Sequence, residues 1–165
     1  MKITRLKWIL SVFIAGLGMG LISCGIYSFS GSTLPSHIKT IAVPLVENRT
    51  PEFGIDQELT DALISAITQD NSLKIANSRS ADSILKGTIL TVRESAGAYD
   101  RDETASGFRV TITIKIAFED TKKRKVIWEE NWSHWGSYEN DRDEGIKEAI
   151  DKLTTDILNK TVSGW

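Results

Sequence analysis

The run FRVTITIKIAFE at positions 108–119 places the strongest constraint on the fold, because apolar and polar residues alternate along its whole length. Successive side chains of a β-strand point to opposite faces of a sheet, so this strand has one apolar and one polar row. The pattern predicts a sheet with one face buried and the other wet or in contact with something polar. The apolar row is Phe108, Val110, Ile112, Ile114, Ile116 and Phe118, and the polar row is Arg109, Thr111, Thr113, Lys115 and Ala117.

Two segments with helical periodicity can supply the layer that buries this sheet. In residues 55–70 and 143–161 the apolar residues recur at spacings of three and four, which gives each helix one apolar stripe. Both stripes are expected to pack on the apolar face of the sheet. They consist of Ile55, Leu59, Leu63, Ala66 and Ile67 in the first helix, and Ile146, Ile150, Leu153, Ile157 and Leu158 in the second.

The order of the elements predicts the fold class. The first strand, the first helix and a returning strand form a right-handed crossover, and the later strands form an antiparallel meander. We therefore predict an α+β fold, a two-layer α/β sandwich in which two helices pack on one face of a mixed sheet of four to five strands. The other strands are predicted at 38–46, 73–76, 84–95 and 126–135, with a loop at 97–107 and a hairpin turn at 120–125.

The N-terminal segment indicates export. Residues 1–7 are basic and residues 8–23 carry no charge, which is the order of a signal peptide, and the apolar run is shorter than the roughly 18 residues of a spanning helix. Leu-Ile-Ser-Cys at 21–24 resembles the lipobox of bacterial lipoproteins, and Gly25 after it then implies the outer membrane. We predict a signal peptide over 1–23, a covalent lipid on Cys24, a lipidated tether over 24–37 and one domain over 38–165. The alternative is an uncleaved membrane anchor.

Composition and motifs argue against several function classes. The signal peptide removes three of the 20 lysines and arginines and none of the 22 acids, and an acidic domain is a poor binder of nucleic acid. Neither His37 nor His134 has a second His or a Cys at ligand spacing, so no metal site is expected. No nucleophile elbow, Gly-rich phosphate loop or zinc-protease motif occurs. We predict no enzyme and no cofactor besides the lipid.

Two groups of residues are candidates for contact with a ligand or a partner protein. Basic residues in the polar row, the predicted loop and the hairpin turn could bind an anion, although a solvated face and a turn protected by lysines explain them equally. The tryptophans exceed what a small core needs, and aromatic residues are enriched at protein interfaces, although core and rim packing is the alternative. The candidates are Arg101, Arg109, Lys115, Lys122, Lys123, Arg124 and Lys125 for the anion, and Trp128, Trp132, Trp135 and Trp165 for the interface.

Five segments together resemble the lipopolysaccharide-assembly lipoprotein family, which is LptE-like. They are CGIYSFSG, IKTIAVPLVENRT, GIDQELTDALISAI, ADSILKGTIL and ILNKTVSGW. The resemblance implies a non-enzymatic outer-membrane lipoprotein, on the periplasmic side or within the lumen of a large β-barrel translocon. It implies that the protein plugs this barrel, helps it fold and assists the insertion of lipopolysaccharide. It also implies that basic residues on the sheet and its loops bind the phosphates of the lipid.

A second resemblance leaves another class open. TIAVPLVENRT and ADSILKGTI also resemble periplasmic lipoproteins of the curli-secretion and peptidoglycan-synthase-activator type, which form a secretion pore or activate a cell-wall enzyme. A pore needs long amphipathic segments, which only residues 108–135 could supply, and a synthase activator usually has a longer tether. The short tether and the terminal SGW therefore favour the barrel partner.

Overall fold

The computed structural model describes residues 34–99 and 105–163. The predicted signal peptide, Cys24, Arg101, Trp165 and most of the tether lie outside the described residues. Neither described helix is long and apolar enough to cross a membrane. The elements are β1 (Thr40–Ala42), β2 (Glu47–Asn48), α1 (Ile55–Asp70), β3 (Lys74–Ile75), β4 (Ser83–Tyr99), β5 (Ala105–Asp120), β6 (Lys125–Tyr138) and α2 (Arg142–Ser163).

The strands form one mixed sheet. Its order is β3-β1-β4-β5-β6, and β2 also pairs with β4. β1 runs parallel to β3 and β4, β2 runs parallel to β4, and β4, β5 and β6 are antiparallel. We call the end of the sheet that carries Ser83, Asp120 and Lys125 the lower end, and the opposite end the upper end. The predicted sandwich of two helices on a mixed sheet is confirmed, with six strands instead of four to five.

Two predicted boundaries are wrong. The segment 38–46 contains only the short β1, because residues 43–46, including a proline that cannot donate to a ladder, leave the sheet before β2 begins. The predicted loop at 97–107 is largely strand, since β4 continues to Tyr99 and β5 begins at Ala105. Its small residues have turn propensity, yet the pairing already set by the alternating run extends through them, with irregularities near Gly97.

The core lies between the helices and the apolar row of β5. The side chains from Val110 to Phe118 in this row have 0% exposed surface, as predicted, while Phe108 is 36% exposed and stacks on Tyr138 with ring centroids 5.5 Å apart. Burying one such aliphatic side chain stabilises the fold by about 1.5–3 kcal/mol. The helices contribute Ile55, Leu59, Leu63 and Ile67 from α1, and Ile146, Ala149, Ile150, Leu153 and Ile157 from α2.

Two glycines let α2 pack directly on β6. A Cβ atom on Gly136 would lie 2.0 Å from the carbonyl oxygen of Gly145, and one on Gly145 would lie 2.8 Å from the ring of Tyr138. Real Cβ atoms do not approach other atoms this closely, so the backbones of the strand and the helix can meet only if both residues lack side chains. This contact fixes the start of α2 against the upper end of the sheet.

Arg142 links three parts of the chain at the upper end. Its Nη1 and Nη2 each donate to Glu52 at 2.8 Å, and its Nε donates to Glu94 at 3.1 Å. These hydrogen bonds and charges lower the pKa of Glu52 and raise the pKa of Arg142. The forked pairing holds the loop before α1, the strand β4 and the start of α2 in one arrangement.

Candidate functional site

The polar row of β5 lies on the face of the sheet away from the two helices. Because cross-strand partners share a face, the register adds residues of β4 and β6 to this row. The side chains are exposed or half-buried, and both described helices pack on the opposite face, although Lys152 of α2 reaches Trp135 on the edge strand. We call this surface the open face, and it comprises Lys86, Thr88, Arg109, Thr111, Thr113, Lys115, Glu129, Asn131, Ser133 and Trp135.

Charged side chains of the open face pair across strands. The Nζ atom of Lys115 lies 2.8 Å from the Glu129 carboxylate, and that of Lys86 lies 2.7 Å from Glu119. These atoms are substantially exposed, and exposed ion pairs contribute about 0–1 kcal/mol. Lys115 therefore has a partner that an anion would have to displace. The register that creates this pair could not be read from the sequence.

Arg109 and Trp135 form the aromatic part of the open face. The guanidinium carbon of Arg109 lies 3.8 Å from the centroid of the indole ring, and Lys152 Nζ lies 4.2 Å from the same centroid. Lys152 also donates to the Trp135 carbonyl oxygen at 2.9 Å. A cation over an indole face is attracted by the ring quadrupole. Arg109 Nε is buried and donates to no hydrogen-bond acceptor among the described residues.

The predicted interface tryptophans divide between the two faces. Trp128 and Trp132 lie opposite Phe118 and Ile114, so both point toward the helices. Trp128 is only 8% exposed and packs on Phe118 with ring centroids 6.1 Å apart, and Trp132 is half-buried against the same core. Trp135 is 40% exposed and shares the open face with its partner Thr111. Among the described tryptophans of β6, Trp135 is therefore the one that a partner protein could reach without disturbing the core.

The predicted anion-binding residues do not converge on one site. Lys122 to Lys125 form the turn between β5 and β6 at the lower end, twelve or more residues from Arg109. At about 3.3 Å per residue, this turn lies roughly 40 Å from Arg109 along the strand. We call residues 122–125 the basic turn. Anion binding by either group stays a prediction.

Two acids next to the basic turn are already engaged. Asp82 Oδ2 accepts from the backbone N–H groups of Lys39 and Thr40 at 3.0 and 3.1 Å, and Asp82 Oδ1 lies 2.7 Å from Lys122 Nζ. The Lys122 ammonium, the Lys39 backbone and the Thr40 hydroxyl hold the pKa of Asp82 well below its usual range. Asp120 lies 2.6 Å from His37 Nε2 and accepts from the backbone N–H of Lys123 at 2.9 Å.

Both histidines pair with carboxylates. Besides the His37 pair with Asp120, His134 Nε2 lies 2.6 Å from Asp156 of α2. Across the described residues, no group of three His, Cys, Asp or Glu side chains could hold a metal ion. Each histidine joins two parts of the fold, which the sequence did not reveal because the partners are distant along the chain.

Solved structures with the same fold come from several bacteria. The chain is similar to a hypothetical protein from Chlamydia trachomatis, with 9% identity, a TM-score of 0.58 and coverage of 75% of this chain and 95% of that one. It is similar to the PelC dodecamer from Paraburkholderia phytofirmans, with 14% identity and a TM-score of 0.57. The match covers 79% of this chain and 94% of that one. It is also similar to rare lipoprotein B from Shewanella oneidensis, with 14% identity and a TM-score of 0.50. The match covers 73% of this chain and 92% of that one. These likenesses show the fold alone.

A family assignment comes from the sequence comparison. No curated protein matches the chain. The family model described as LptE, lipopolysaccharide-assembly, matches residues 38–161, which is nearly all of the predicted domain and more than half of the chain. The match confirms the first of the two resemblances. The chain belongs to the LptE family of lipopolysaccharide-assembly lipoproteins.

Proposed function

We propose that this protein is a lipid-anchored, non-enzymatic component of the outer membrane that occupies the lumen of a β-barrel translocon and assists the insertion of lipopolysaccharide. Family membership supports a role in lipopolysaccharide assembly. The position inside a barrel, the partner and the anchor on Cys24 are the finer parts of the proposal. A covalent lipid with two or more acyl chains would hold the domain stably at its membrane.

The observation that carries the proposed position is the open face. β4, β5 and β6 are long antiparallel strands with helices on one face and polar, ion-paired side chains on the other. The lumen of an outer-membrane barrel is polar, so this face fits its surface without apolar contact. The 16 residues of β5 extend over roughly 50 Å, more than the apolar band of about 25 Å that such a barrel presents to lipid.

The test is recovery of the partner from native membranes. The tagged full chain is solubilised in mild detergent from its own membranes, purified through the tag and identified together with its partners by mass spectrometry. We expect one large β-barrel at a stoichiometric amount. Recovery of a penicillin-binding protein, or of many copies of this chain as in the PelC dodecamer, would contradict the proposal and favour the second resemblance.

A matched pair of variants tests whether the open face makes the contact. Lys115→Glu places two acids at diagonal positions of adjacent strands, whereas the double variant Lys115→Glu/Glu129→Lys restores an ion pair with the charges exchanged. Both leave the helix-facing core unchanged, so both should fold. We expect much less of the barrel to copurify with the exchanged variant, because the charges of a partner protein would complement the original positions of Lys115 and Glu129 and not the exchanged ones. If the same amount of barrel copurifies with the exchanged variant, the open face is exposed to solvent and does not contact the partner.

The anchor has a separate test. Cys24→Ala removes the thiol that would receive the lipid, so the precursor should stay unmodified by mass spectrometry and leave the outer-membrane fraction. Cys24→Ser is the matched control, since a hydroxyl at this position is close in size to the thiol but does not replace it in the expected modification. Normal fractionation of both variants would contradict the anchor.

A further inference from the structure

The lower end of the domain carries a cluster of basic residues from three parts of the chain. Lys39 lies directly before β1, Lys74 begins β3 and pairs with Thr40 of β1, and the basic turn joins β5 to β6. These side chains are exposed, and apart from Lys122 none of them makes an ion pair with a residue that the structure describes. We call this cluster the basic end, and it comprises Lys39, Lys74, Lys123, Arg124 and Lys125.

The two acids next to the basic turn are used inside the fold. Asp82 is 14% exposed, and its oxygens are taken by Lys122, by the Thr40 hydroxyl and by two backbone N–H groups. Asp120 is 3% exposed and holds His37 and the backbone of Lys123. Neither of these two acids makes an ion pair with Lys123, Arg124 or Lys125.

The opposite end of the domain has the opposite sign. Acidic residues from the loop before α1 and from the starts of both helices line one depression there, namely Glu52, Glu58, Asp141, Asp143 and Glu144. Burial, Asp143 and Asp151 raise the pKa of Glu58, which is the effect of several acids facing one another. An anionic surface would repel this acidic depression and attract the basic end.

The chain enters the domain beside the basic turn. The 2.6 Å contact between His37 and Asp120 ties residue 37 to the last residue of β5, immediately before the turn. Leu34 follows Cys24 by only ten positions in the chain. A segment of that length spans at most about 35 Å and, when flexible, roughly 17 Å on average. If Cys24 carries the membrane anchor, the entry point and the basic turn stay close to the membrane surface.

We propose that the basic end binds the anionic headgroups of phospholipids in the leaflet that holds the acyl chains of Cys24. Lys and Arg side chains near such a surface are attracted to it, and the attraction acts within a Debye length of about 10 Å at 0.1 M salt. The short tether supplies the proximity that this range requires. The contact holds the lower end of the domain at the headgroups of that leaflet. This inference rests on the anchor of the proposed function.

The test measures local protection of the full chain on membranes. The full chain is reconstituted into vesicles of phosphatidylethanolamine with phosphatidylglycerol, or of phosphatidylcholine alone, and amide hydrogen exchange is followed by mass spectrometry. At low salt we expect exchange in residues 121–126 to slow by roughly ten-fold on the anionic vesicles, because bound headgroups suppress opening of the turn. High salt should remove the difference, and peptides from the upper end should show none.

Two variants with equal changes of net charge make the test specific. The variant Lys123→Gln/Arg124→Gln/Lys125→Gln should abolish the protection. Its amide hydrogen exchange on phosphatidylcholine vesicles, compared with that of the parent, shows whether the turn keeps its fold. Arg49→Gln/Arg93→Gln/Lys147→Gln removes three cations elsewhere and should retain the protection. Equal exchange on both vesicle types, or protection only by lipopolysaccharide micelles, would overturn the inference.

Failure of the anchor is recognised separately. Flotation of the vesicles at high salt reports whether the chain is held by its lipid, since salt screens the basic end but leaves acyl chains inserted. A chain that floats at high salt without protection of the turn contradicts only the inference about the basic end. A chain that does not float at high salt contradicts the anchor.

Discussion

The two rows of β5 belong to one strand, yet different forces determine the positions of their side chains. The helix-facing side chains from Val110 to Phe118 have no exposed surface and belong to one hydrophobic core together with residues of both helices. The side chains of the open face remain partly exposed, and their described partners lie across the strands, as in the pair of Lys115 and Glu129. Stability therefore depends on the first row, while the second row remains accessible for the partner contact that we propose.

The largest loss of stability is expected from a substitution where α2 and β6 meet without side chains between them. Gly136 pairs with Val110, and a Cβ atom there would collide with the carbonyl oxygen of Gly145. Gly136→Ala should lower the free energy of unfolding by about 4 kcal/mol or more, since α2 must move off the sheet. Gly107→Ala is the control, because its Cβ would make only an ordinary 3.6 Å contact. Urea denaturation of both variants measures the difference, and equal stability would mean that α2 does not pack here.

Two neighbouring residues compare the rows directly. Ile114 is fully buried, whereas Thr113 faces the open side and shares a 3.1 Å hydrogen bond with Ser133. Ile114→Ala should cost about 3 kcal/mol, because it leaves a cavity in the core, and Thr113→Ala less than about 1 kcal/mol. The midpoint and slope of urea unfolding give both values. A larger cost for Thr113 would show that the open face is covered within the isolated protein.

The sequence revealed the rows but not the register. Alternation in 108–119 and the helical stripes depend on neighbours along the chain, so the burial of Val110 to Phe118 and the two-layer fold could be predicted. The partner of Lys115, the inward position of Trp128 and the extension of the hairpin through Gly97 depend on which residues lie opposite one another. A shift of one residue would place every side chain on the other face, and only the packed structure excludes it.

An intermediate loss of stability is expected from a substitution of Asp120, the acid at the end of the helix-facing row of β5. Burial raises the pKa of Asp120, but hydrogen bonds from the Lys123 backbone and His37 outweigh it, so the pKa lies below its usual value. The carboxylate therefore stabilises the fold above the unfolded pKa of about 3.9 and loses this contribution as the pH falls further. Asp120→Asn should be less stable than the parent at pH 6 and should lose less stability on acidification.

The control for Asp120 is the same chemical change on the open face. Glu129→Gln alters a carboxylate that is 47% exposed, and exposed ion pairs contribute about 0–1 kcal/mol, so the stability of this variant should stay close to that of the parent. Thermal unfolding at a series of pH values compares the three proteins. Parallel curves for Asp120→Asn and the parent would mean that this buried acid keeps its ordinary pKa.

The smallest effect on stability is expected where we propose the largest effect on recognition. A double-mutant cycle with Lys115→Ala and Glu129→Ala should give a coupling energy below about 0.5 kcal/mol that declines with added salt, because both groups of the pair are nearly half exposed. A coupling above about 2 kcal/mol would indicate a desolvated pair, which an uncovered face does not provide. If the coupling is small while the charge exchange between these positions still removes the barrel from the purification, the pair contributes through the partner it meets. Its contribution to the folded domain itself is then negligible, which is the property that separates the open face from the row packed under the helices.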